Sequence, residues 1–449
     1  MKITFHGAAG TVTGSKYLLD TDDARLLIDC GLFQGLKQLR LQNWEPPPFD
    51  LGTLDAVVLT HAHVDHSGWL PLLARRGWRG PIWCTPGTAD LVRILLPDAA
   101  YLQEEDARFA NLHGYSKHRP ALPLFDRDDA EAALALVRTV PYGKPFTPAK
   151  GVSARFVRAG HIVGAARVEI DGRLVFSGDV GRPNDLLLLP PDHLDTAEVL
   201  VVESTYGGRH HDRRDPAETL AGLLRPALDR GGVVMVPTFA VGRAQEVLHL
   251  IATLKADGRI PDVPVFLDSP MAIHATRIYC DHVEDHRLTH PACKALCATA
   301  TALPTREDSM TLNDRKGPFI VLAGSGMAAG GRILHHLARR AEDPRNAVLL
   351  VGFQAAGTRG QAILAGAERV KIHGRYVDVR AERLRIDSLS AHADEEELVA
   401  WLGTLKDRPR RVFLTHGEPA AADALRVRLK DAFGWDAEIP TQGQAETLW

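Results

Sequence analysis

The chain has 449 residues, which is enough for more than one hydrophobic core, because a single core stops growing at about 250 to 300 residues. Hydrophobic residues make up 45% and charged residues 24%, values that argue against disordered and collagen-like classes. No apolar run approaches the roughly 20 residues that cross a bilayer. The net charge of −3 argues against a uniformly basic surface, so any nucleic acid would be held by local patches.

The five cysteines predict reduced thiols and a cytoplasmic protein, since none forms a C-x-x-C pair and no secretory signal precedes the first strand-like run. Cys293 and Cys297 are four residues apart. No Cys or His pair is spaced to join them in a zinc site, so two helix positions are the better interpretation.

The first part of the chain predicts a β-rich domain. Its opening strands are Lys2–Phe5, Ser15–Leu19, Arg25–Asp29 and Ala56–Thr60. A helical pattern after His66 ends at Gly77. The segment 101–150 predicts helices and then an extended, proline-containing connection, and further strands between 154 and 203 resemble the second half of a sandwich.

From about residue 207 the pattern changes to alternating helices and strands. The elements are Pro216–Arg230, Val233–Pro237, Gly242–Lys255, Val263–Leu267, Phe319–Ala323 and Ala347–Phe353. Such alternation predicts a parallel sheet in a second α/β domain over 207–370, inserted between a first part at 1–206 and a return at 371–449.

A metal-binding motif follows the strand that ends at Thr60. His61 and His63 are expected at the exposed end of that strand, with Asp65 and His66 on the next turn. Imidazole and carboxylate groups at this spacing are typical zinc ligands. Further candidates, each after a predicted strand and flanked by small residues, are His161, Asp179 and His416.

This ligand string, with Asp29, strongly resembles the motifs of the metallo-β-lactamase superfamily. The resemblance implies an αββα sandwich and two Zn²⁺ ions per chain. His61, His63 and His161 would hold one ion, and Asp65 with His66 the other. Asp179 would bridge the two ions, and Asp29 would support the ligand loop from behind.

The inserted domain is similar to the β-CASP insertion of nucleic-acid-processing members. Other matching features are Glu203, the stretch Gly324–Arg332, His392 and His416. Family members that act on RNA carry His at the position of His416. The pattern looks closest to bacterial and archaeal relatives of the endonuclease subunit of the cleavage and polyadenylation factor.

The resemblance implies a ribonuclease in which a hydroxide between two metals attacks the phosphate. Products would carry 5′-phosphate and 3′-hydroxyl ends; endonucleolytic cutting is favoured, and 5′–3′ exonuclease activity stays open. Asp65, His392 and Glu203 are assigned to catalysis, with His392 protonating the leaving oxygen or holding the phosphate. Single-stranded RNA is the expected partner. The sequence leaves undecided whether the protein forms a homodimer. The predicted RNA contacts are Arg243, Ser325, Gly326, Arg332, Thr358 and Arg359.

Two other functions are compatible with parts of the pattern. A small-molecule metallo-hydrolase of glyoxalase or lactamase type would share the ligands, but the inserted domain disfavours it. An inactive RNA-binding scaffold subunit would have lost ligands, and this chain has lost none. The glycine-rich stretch lacks the Lys-Ser/Thr ending of a P-loop, which disfavours a nucleoside triphosphate.

Overall fold

The computed structural model describes residues 1–114, 116–352, 354 and 357–449. They form two compact units, of which unit 1 comprises Met1–His210 with His392–Trp449, and unit 2 comprises His211–Ala391.

The first segment of unit 1 is β-rich, as expected. Its strands are β1 (Lys2–Phe5), β2 (Tyr17–Asp20), β3 (Arg25–Ile28), β4 (Ala56–Val58), β5 (Ile82–Cys84), β6 (Val137–Thr139), β7 (Pro145–Ala149), β8 (Val152–Arg158), β9 (Ala166–Ile170), β10 (Leu174–Phe176) and β11 (Val199–Glu203). Its helices are α1 (Lys37–Gln42), α2 (Val64–Ser67), α3 (Leu70–Arg75), α4 (Pro86–His113) and α5 (Arg127–Leu134), with a short 3₁₀ helix at Leu51–Thr53.

Unit 2 alternates helices and strands. The helices are α6 (Pro216–Asp229), α7 (Arg243–Ala256), α8 (Pro270–Asp281), α9 (His290–Ala298), α10 (Arg306–Met310), α11 (Ile333–Arg340) and α12 (Arg359–Leu364). The strands are β12 (Val233–Pro237), β13 (Val265–Asp268), β14 (Thr301–Ala302), β15 (Phe319–Ala323), β16 (Ala347–Val351), β17 (Arg369–Ile372), β18 (Arg375–Asp378) and β19 (Glu382–Ile386).

The chain then returns to unit 1. The remaining elements are α13 (Glu395–Leu402), β20 (Arg411–Thr415), α14 (Pro419–Phe433), β21 (Ala437–Glu438) and β22 (Ala445–Thr447).

Two sheets pack face to face in unit 1. One has the strand order β22-β1-β2-β3-β4-β5-β6, and the other β21-β20-β11-β10-β9-β8-β7. Alternate residues of both sheets, such as Ile3, Leu26, Phe156 and Phe413, form one buried core between them. The expected sandwich is confirmed.

Helices cover the outer faces of this sandwich. Val175, Leu200 and Val412 on the outer face of the second sheet pack with Leu402 of α13 and Leu425 of α14. On the side of the first sheet, α3, α4 and α5 pack together, and α4 contacts β6. Unit 1 therefore has the αββα layering that its resemblance implied.

Unit 2 contains a sheet of the order β14-β13-β15-β12-β16-β19, in which every pairing is parallel. Met235, Val321 and Val348 of this sheet pack with Ile333 and Leu337 of α11. Helices α6 and α7 contact each other, and α6 contacts β12. The inserted α/β domain is confirmed.

The structure adds two details to the expectations from the sequence. Unit 2 ends at Ala391 and not at 370, because β19 adds to its sheet beside β16. The predicted extended connection contains β7, which pairs with β8. This strand tolerates Pro145 and Pro148 because it lies at the sheet edge, where unpaired backbone positions need no donor.

The two points where the chain leaves and re-enters unit 1 are joined by hydrogen bonds. The amide of Glu395 donates to the carbonyl oxygen of Arg209 at 3.1 Å, and the amide of Gly208 donates to the Glu395 carboxylate at 2.6 Å. Within the described residues, no helix has both the length and the apolar character that a bilayer crossing requires.

Candidate metal centre

The polar residues singled out by the sequence lie where strands end. Strands β8, β10, β11 and β20 run in one direction, so their carboxyl ends meet at one edge of the second sheet. The residues at or just after these ends are, in order, His161, Asp179, Glu203 and His416. Strands β3 and β4 of the first sheet are also parallel, and Asp29 and His61 follow them. Topology thus gathers distant residues in one place.

The first group of donors consists of three imidazoles and one carboxylate. His63 Nδ1 lies 3.1 Å from His61 Nε2 and 3.1 Å from His161 Nε2. Asp179 Oδ2 lies 3.5 Å from each of the same two Nε2 atoms. His61 was expected at an exposed strand end but is completely buried. The four donor atoms all lie within 4.8 Å of one another.

The second group uses the other oxygen of the same carboxylate. Asp179 Oδ1 lies 3.3 Å from His66 Nε2 and 3.6 Å from His416 Nδ1. Asp65 Oδ2 lies 3.4 Å from His416 Nε2. Asp179 therefore faces one donor group with each oxygen, which is the placement of a bridging ligand.

The donor set fits a pair of divalent metal ions. A zinc bonded to nitrogen at about 2.0–2.1 Å separates neighbouring ligand atoms by roughly 3.3 Å, close to the spacings of the first group. Burial lowers the pKa of His63 to about 4 and that of His61 well below its usual range, so both rings are neutral, as ligands must be. Asp179 Oδ1 is buried and makes no well-aligned hydrogen bond, although His66 Nε2 lies 3.3 Å away, so a cation between these atoms would satisfy this oxygen.

Charge in the centre also favours ionised carboxylates. Burial alone would raise the pKa of Asp179, but His416, His66 and His61 hold it well below its usual range. Burial would lower the pKa of His66, whereas Asp179 and Asp29 raise it well above the usual value, so without a metal this ring carries the positive charge that balances the two carboxylates; a bound cation would take over that charge and leave the ring neutral.

Asp29 supports the second group from behind. Its Oδ2 accepts a hydrogen bond from His66 Nδ1 at 2.7 Å, which directs Nε2 of that ring towards Asp179. Its Oδ1 accepts from the backbone amide of Thr60 at 2.7 Å. The Thr60 hydroxyl also contacts His61 Nδ1 at 3.1 Å. Thr60 thus orients candidate ligands of both groups, a role that sequence reasoning missed.

His392 stands beside the two donor groups without joining either one. Its Nδ1 lies 3.0 Å from Glu203 Oε2, while its Nε2 lies 4.0 Å from Asp179 Oδ2. An antiparallel bridge to Gly181 fixes the backbone, two residues before the N-cap Asp394 of α13. Burial would lower the pKa of His392, but Glu203 raises it to about 9.

Thr205 connects this pair to the second donor group. Its hydroxyl donates to Glu203 Oε2, and it lies 3.2 Å from His416 Nδ1. The backbone amide of Val180 donates to Glu203 Oε1. The Glu203 carboxylate therefore has hydrogen bonds with Val180, Thr205 and His392, which fix its position beside the His392 ring. Sequence reasoning gave Thr205 no role.

Two glycines allow this close packing. A Cβ atom at Gly181 would lie 1.8 Å from the Gly160 carbonyl oxygen, and one at Gly417 would lie 2.2 Å from Ser204 Oγ. Only glycine, which has no side chain, fits these two positions beside the candidate ligands Asp179 and His416.

The arginines predicted to contact RNA lie in unit 2 and are engaged there. Arg332 donates to buried Asp268 at 2.7 Å and to a backbone carbonyl group at 2.7 Å. Arg243 pairs with Glu246 at 2.7 Å. Arg359 donates to two backbone carbonyl groups at 2.6 and 2.8 Å. These contacts give all three arginines a structural role.

The small residues predicted to contact RNA also lie in unit 2. The Ser325 hydroxyl accepts hydrogen bonds from backbone amides at positions 329 and 330, and the carbonyl group of Gly326 accepts from Gln354. Thr358 caps α12. Positions 355 and 356, just before Thr358, lie outside the described residues.

Models of three families match the chain in succession. The metallo-beta-lactamase superfamily matches residues 9–152. The Beta-Casp domain matches residues 244–363, and the Zn-dependent metallo-hydrolase RNA specificity domain matches residues 376–440.

Curated proteins and a solved structure are similar over nearly the whole chain. Ribonuclease TTHA0252 of Thermus thermophilus is 39% identical over 95% of this chain and 95% of its own. Transcription termination factor FttA of Methanosarcina mazei is 31% identical over 94% of this chain and 67% of its own. A crystal structure of a protein of unknown function from Enterococcus faecalis covers 99% of both chains with a TM-score of 0.56 and 14% identity, which shows a shared fold.

Proposed function

We propose that this chain, which belongs to the β-CASP family of the metallo-β-lactamase superfamily, is a zinc-dependent ribonuclease that hydrolyses RNA phosphodiester bonds. The observation that carries the proposal is the Asp179 carboxylate, shared between two donor groups beside the His392–Glu203 pair. The similarity to a protein named as a ribonuclease selects RNA among phosphodiesters. Free cysteines agree with a cytoplasmic location, which we include in the proposal.

Two zinc ions would be held by the donor groups of the centre. The ligands would be His61, His63 and His161 for one ion, Asp65, His66 and His416 for the other, and Asp179 for both. When bound, such a pair supplies a water nucleophile of lowered pKa and offsets the charge of the attacked phosphate.

The chain itself would supply the leaving-group proton. Glu203 occupies Nδ1 of His392, so Nε2 is the ring nitrogen that faces the centre, 4.0 Å from Asp179 Oδ2. From there it would donate a proton to the departing 3′-oxygen. The products would then carry 5′-phosphate and 3′-hydroxyl ends, and the 2′-hydroxyl would not be consumed.

Recognition of single-stranded RNA is assigned to unit 2. We propose that the backbone of the Gly324–Arg332 stretch, including Ser325 and Gly326, contacts phosphate, together with Thr358. Three arginines predicted to contact RNA make hydrogen bonds within unit 2, namely Arg332, Arg359 and Arg243. They would therefore contribute to RNA binding partly by positioning these loops.

The proposal is tested with purified protein, its measured metal content and a structureless RNA. Cleavage by the wild type, with none by Asp179→Asn, is the expected result. Intact RNA together with hydrolysis of a thioester or β-lactam would overturn it in favour of a small-molecule hydrolase. A metal ratio near zero in freshly purified protein would favour a scaffold.

The position of cutting requires one RNA labelled separately at each end. We propose endonucleolytic cutting, which yields intermediate lengths from both labels at early times. Release of mononucleotides from the 5′ label alone would establish 5′–3′ exonuclease activity instead.

A further inference from the structure

Three thiols and one imidazole of unit 2 lie together, far along the chain from the metal ligands. Cys280 is near the end of α8, and Cys293 and Cys297 lie one turn apart on α9. Cys280 Sγ lies 3.5 Å from Cys297 Sγ. His286 Nε2, from the connection between the helices, lies 3.7 Å from Cys293 Sγ. Sequence spacing alone did not join these residues.

The imidazole acts as a hydrogen-bond donor to sulfur in this cluster. His286 Nδ1 accepts a hydrogen bond from the backbone amide of Leu288 at 3.1 Å, so the neutral ring carries its proton on Nε2. That proton faces Cys293 Sγ, and the same nitrogen cannot then bind a cation. The arrangement therefore does not supply the four ligands of a structural zinc site.

The three thiols differ in access to solvent. Cys297 is exposed and Cys280 half-buried, whereas Cys293 is 5% exposed. An oxidant in solution meets Cys297 first, and the nearest second sulfur is Cys280. Burial raises the pKa of the Cys280 thiol and so lowers its thiolate fraction, which makes exposed Cys297 the thiol that reacts first.

We propose that Cys280 and Cys297 are a reversible oxidation site, which hydrogen peroxide converts to an intramolecular disulfide. The Cys297 sulfur attacks the peroxide oxygen, an S–O bond forms, the O–O bond breaks and one water leaves. The Cys280 sulfur then attacks the oxidised Cys297 sulfur, the S–S bond forms, the S–O bond breaks, and the hydroxyl group leaves with the Cys280 thiol proton as a second water. Two thiols lose two electrons in total, which reduce one peroxide to two waters.

The geometry requires little movement. The two sulfur atoms must approach from 3.5 Å to about 2.0 Å, which side-chain rotation at the exposed Cys297 can supply. Disulfides are rare in a reducing compartment, and those that form there are usually transient, as this one would be. The Cys280–Cys297 disulfide would join α8 to α9 across the segment that connects them.

The test uses full-length metal-loaded protein, reduced, desalted and treated with a small excess of hydrogen peroxide. Remaining thiols are alkylated after denaturation and counted by mass. The expected product has three of the five thiols alkylated, and dithiothreitol restores all five. Trypsin separates the three cysteines onto the peptides 278–287, 288–294 and 295–306, so the linkage is read directly.

Matched variants locate the bond. Cys297→Ser and Cys280→Ser should abolish the disulfide, whereas Cys293→Ser, one helical turn from Cys297, should retain it. A bond between Cys280 and Cys293, bonds only between chains, or no bond at all would overturn the proposal. A third metal per chain that is lost in Cys280→Ser would also overturn it and identify a metal site. None of these outcomes depends on RNA cleavage.

Discussion

Replacement of His392 by alanine separates proton donation from metal binding. The ring contacts Glu203 through Nδ1 and leaves Nε2 at 4.0 Å from Asp179, so it is not placed as a ligand. Metal content should therefore stay at the wild-type ratio. The rate should fall by about 10² or more, equivalent to roughly 2.7 kcal/mol of barrier, because the leaving oxygen loses its proton donor.

The fold should survive this replacement. Glu203 keeps its hydrogen bonds from the amide of Val180 and the hydroxyl of Thr205, so its buried carboxylate retains two partners. The loss of one charge-assisted hydrogen bond costs about 1.5–3 kcal/mol of stability.

The assay compares single-turnover cleavage rates with the zinc-to-chain ratio of the same preparation. His193→Ala, which removes an exposed histidine of unit 1, is the matched control and should change neither quantity. Loss of zinc in His392→Ala would make this residue a ligand and refute the assignment. A rate within threefold of wild type would show that the leaving oxygen finds its proton elsewhere.

Three further outcomes follow from the same contacts. Asp179→Asn should reduce bound zinc below about one ion per chain, measured by elemental analysis, because both donor groups share this carboxylate; retention of two ions would contradict the bridging role. Arg332→Ala should lower the free energy of unfolding by about 2–4 kcal/mol, measured by denaturant titration, since it leaves buried Asp268 with fewer partners; weaker RNA binding at unchanged stability would instead restore Arg332 as an RNA contact. In chelator-treated protein, Glu203 raises the pKa of His392 from its usual 6.5 to about 9. This shift stabilises the fold by at most about 3 kcal/mol below pH 6.5, and the stabilisation is lost as the pH rises through 9. The stability difference between wild type and His392→Ala should thus shrink from pH 6 to pH 10, and a constant difference would exclude the coupling with Glu203.

The proposed metal ligands were accessible to sequence reasoning because each one follows a strand. Short apolar strands ending in His or Asp beside glycine are visible in the sequence, and the parallel arrangement then brings His161, Asp179 and His416 to one sheet edge. Local pattern and topology agree at these positions.

Other features depend on contacts that no local pattern encodes. Arg332 and Arg359 look like free basic residues in the sequence, but their guanidinium groups are directed at partners within unit 2. The strand Glu382–Ile386 resembles the start of the returning sandwich, yet it pairs with β16, which moved the boundary of unit 2. The thiol cluster joins residues from two helices whose packing the spacing did not indicate.

The junction between Gly208–Arg209 and Glu395 has a consequence for how such a protein changes over evolutionary time. Because hydrogen bonds within unit 1 hold the two junctions together, the segment between them can be exchanged, lengthened or trimmed while the strands that carry the donor groups keep their places. Under the proposed function, the hydrolytic centre of unit 1 and RNA recognition by unit 2 would then be able to change separately. Excising 211–391 and closing the gap with a short flexible linker should yield a miniature hydrolase scaffold onto which a foreign recognition module can be grafted.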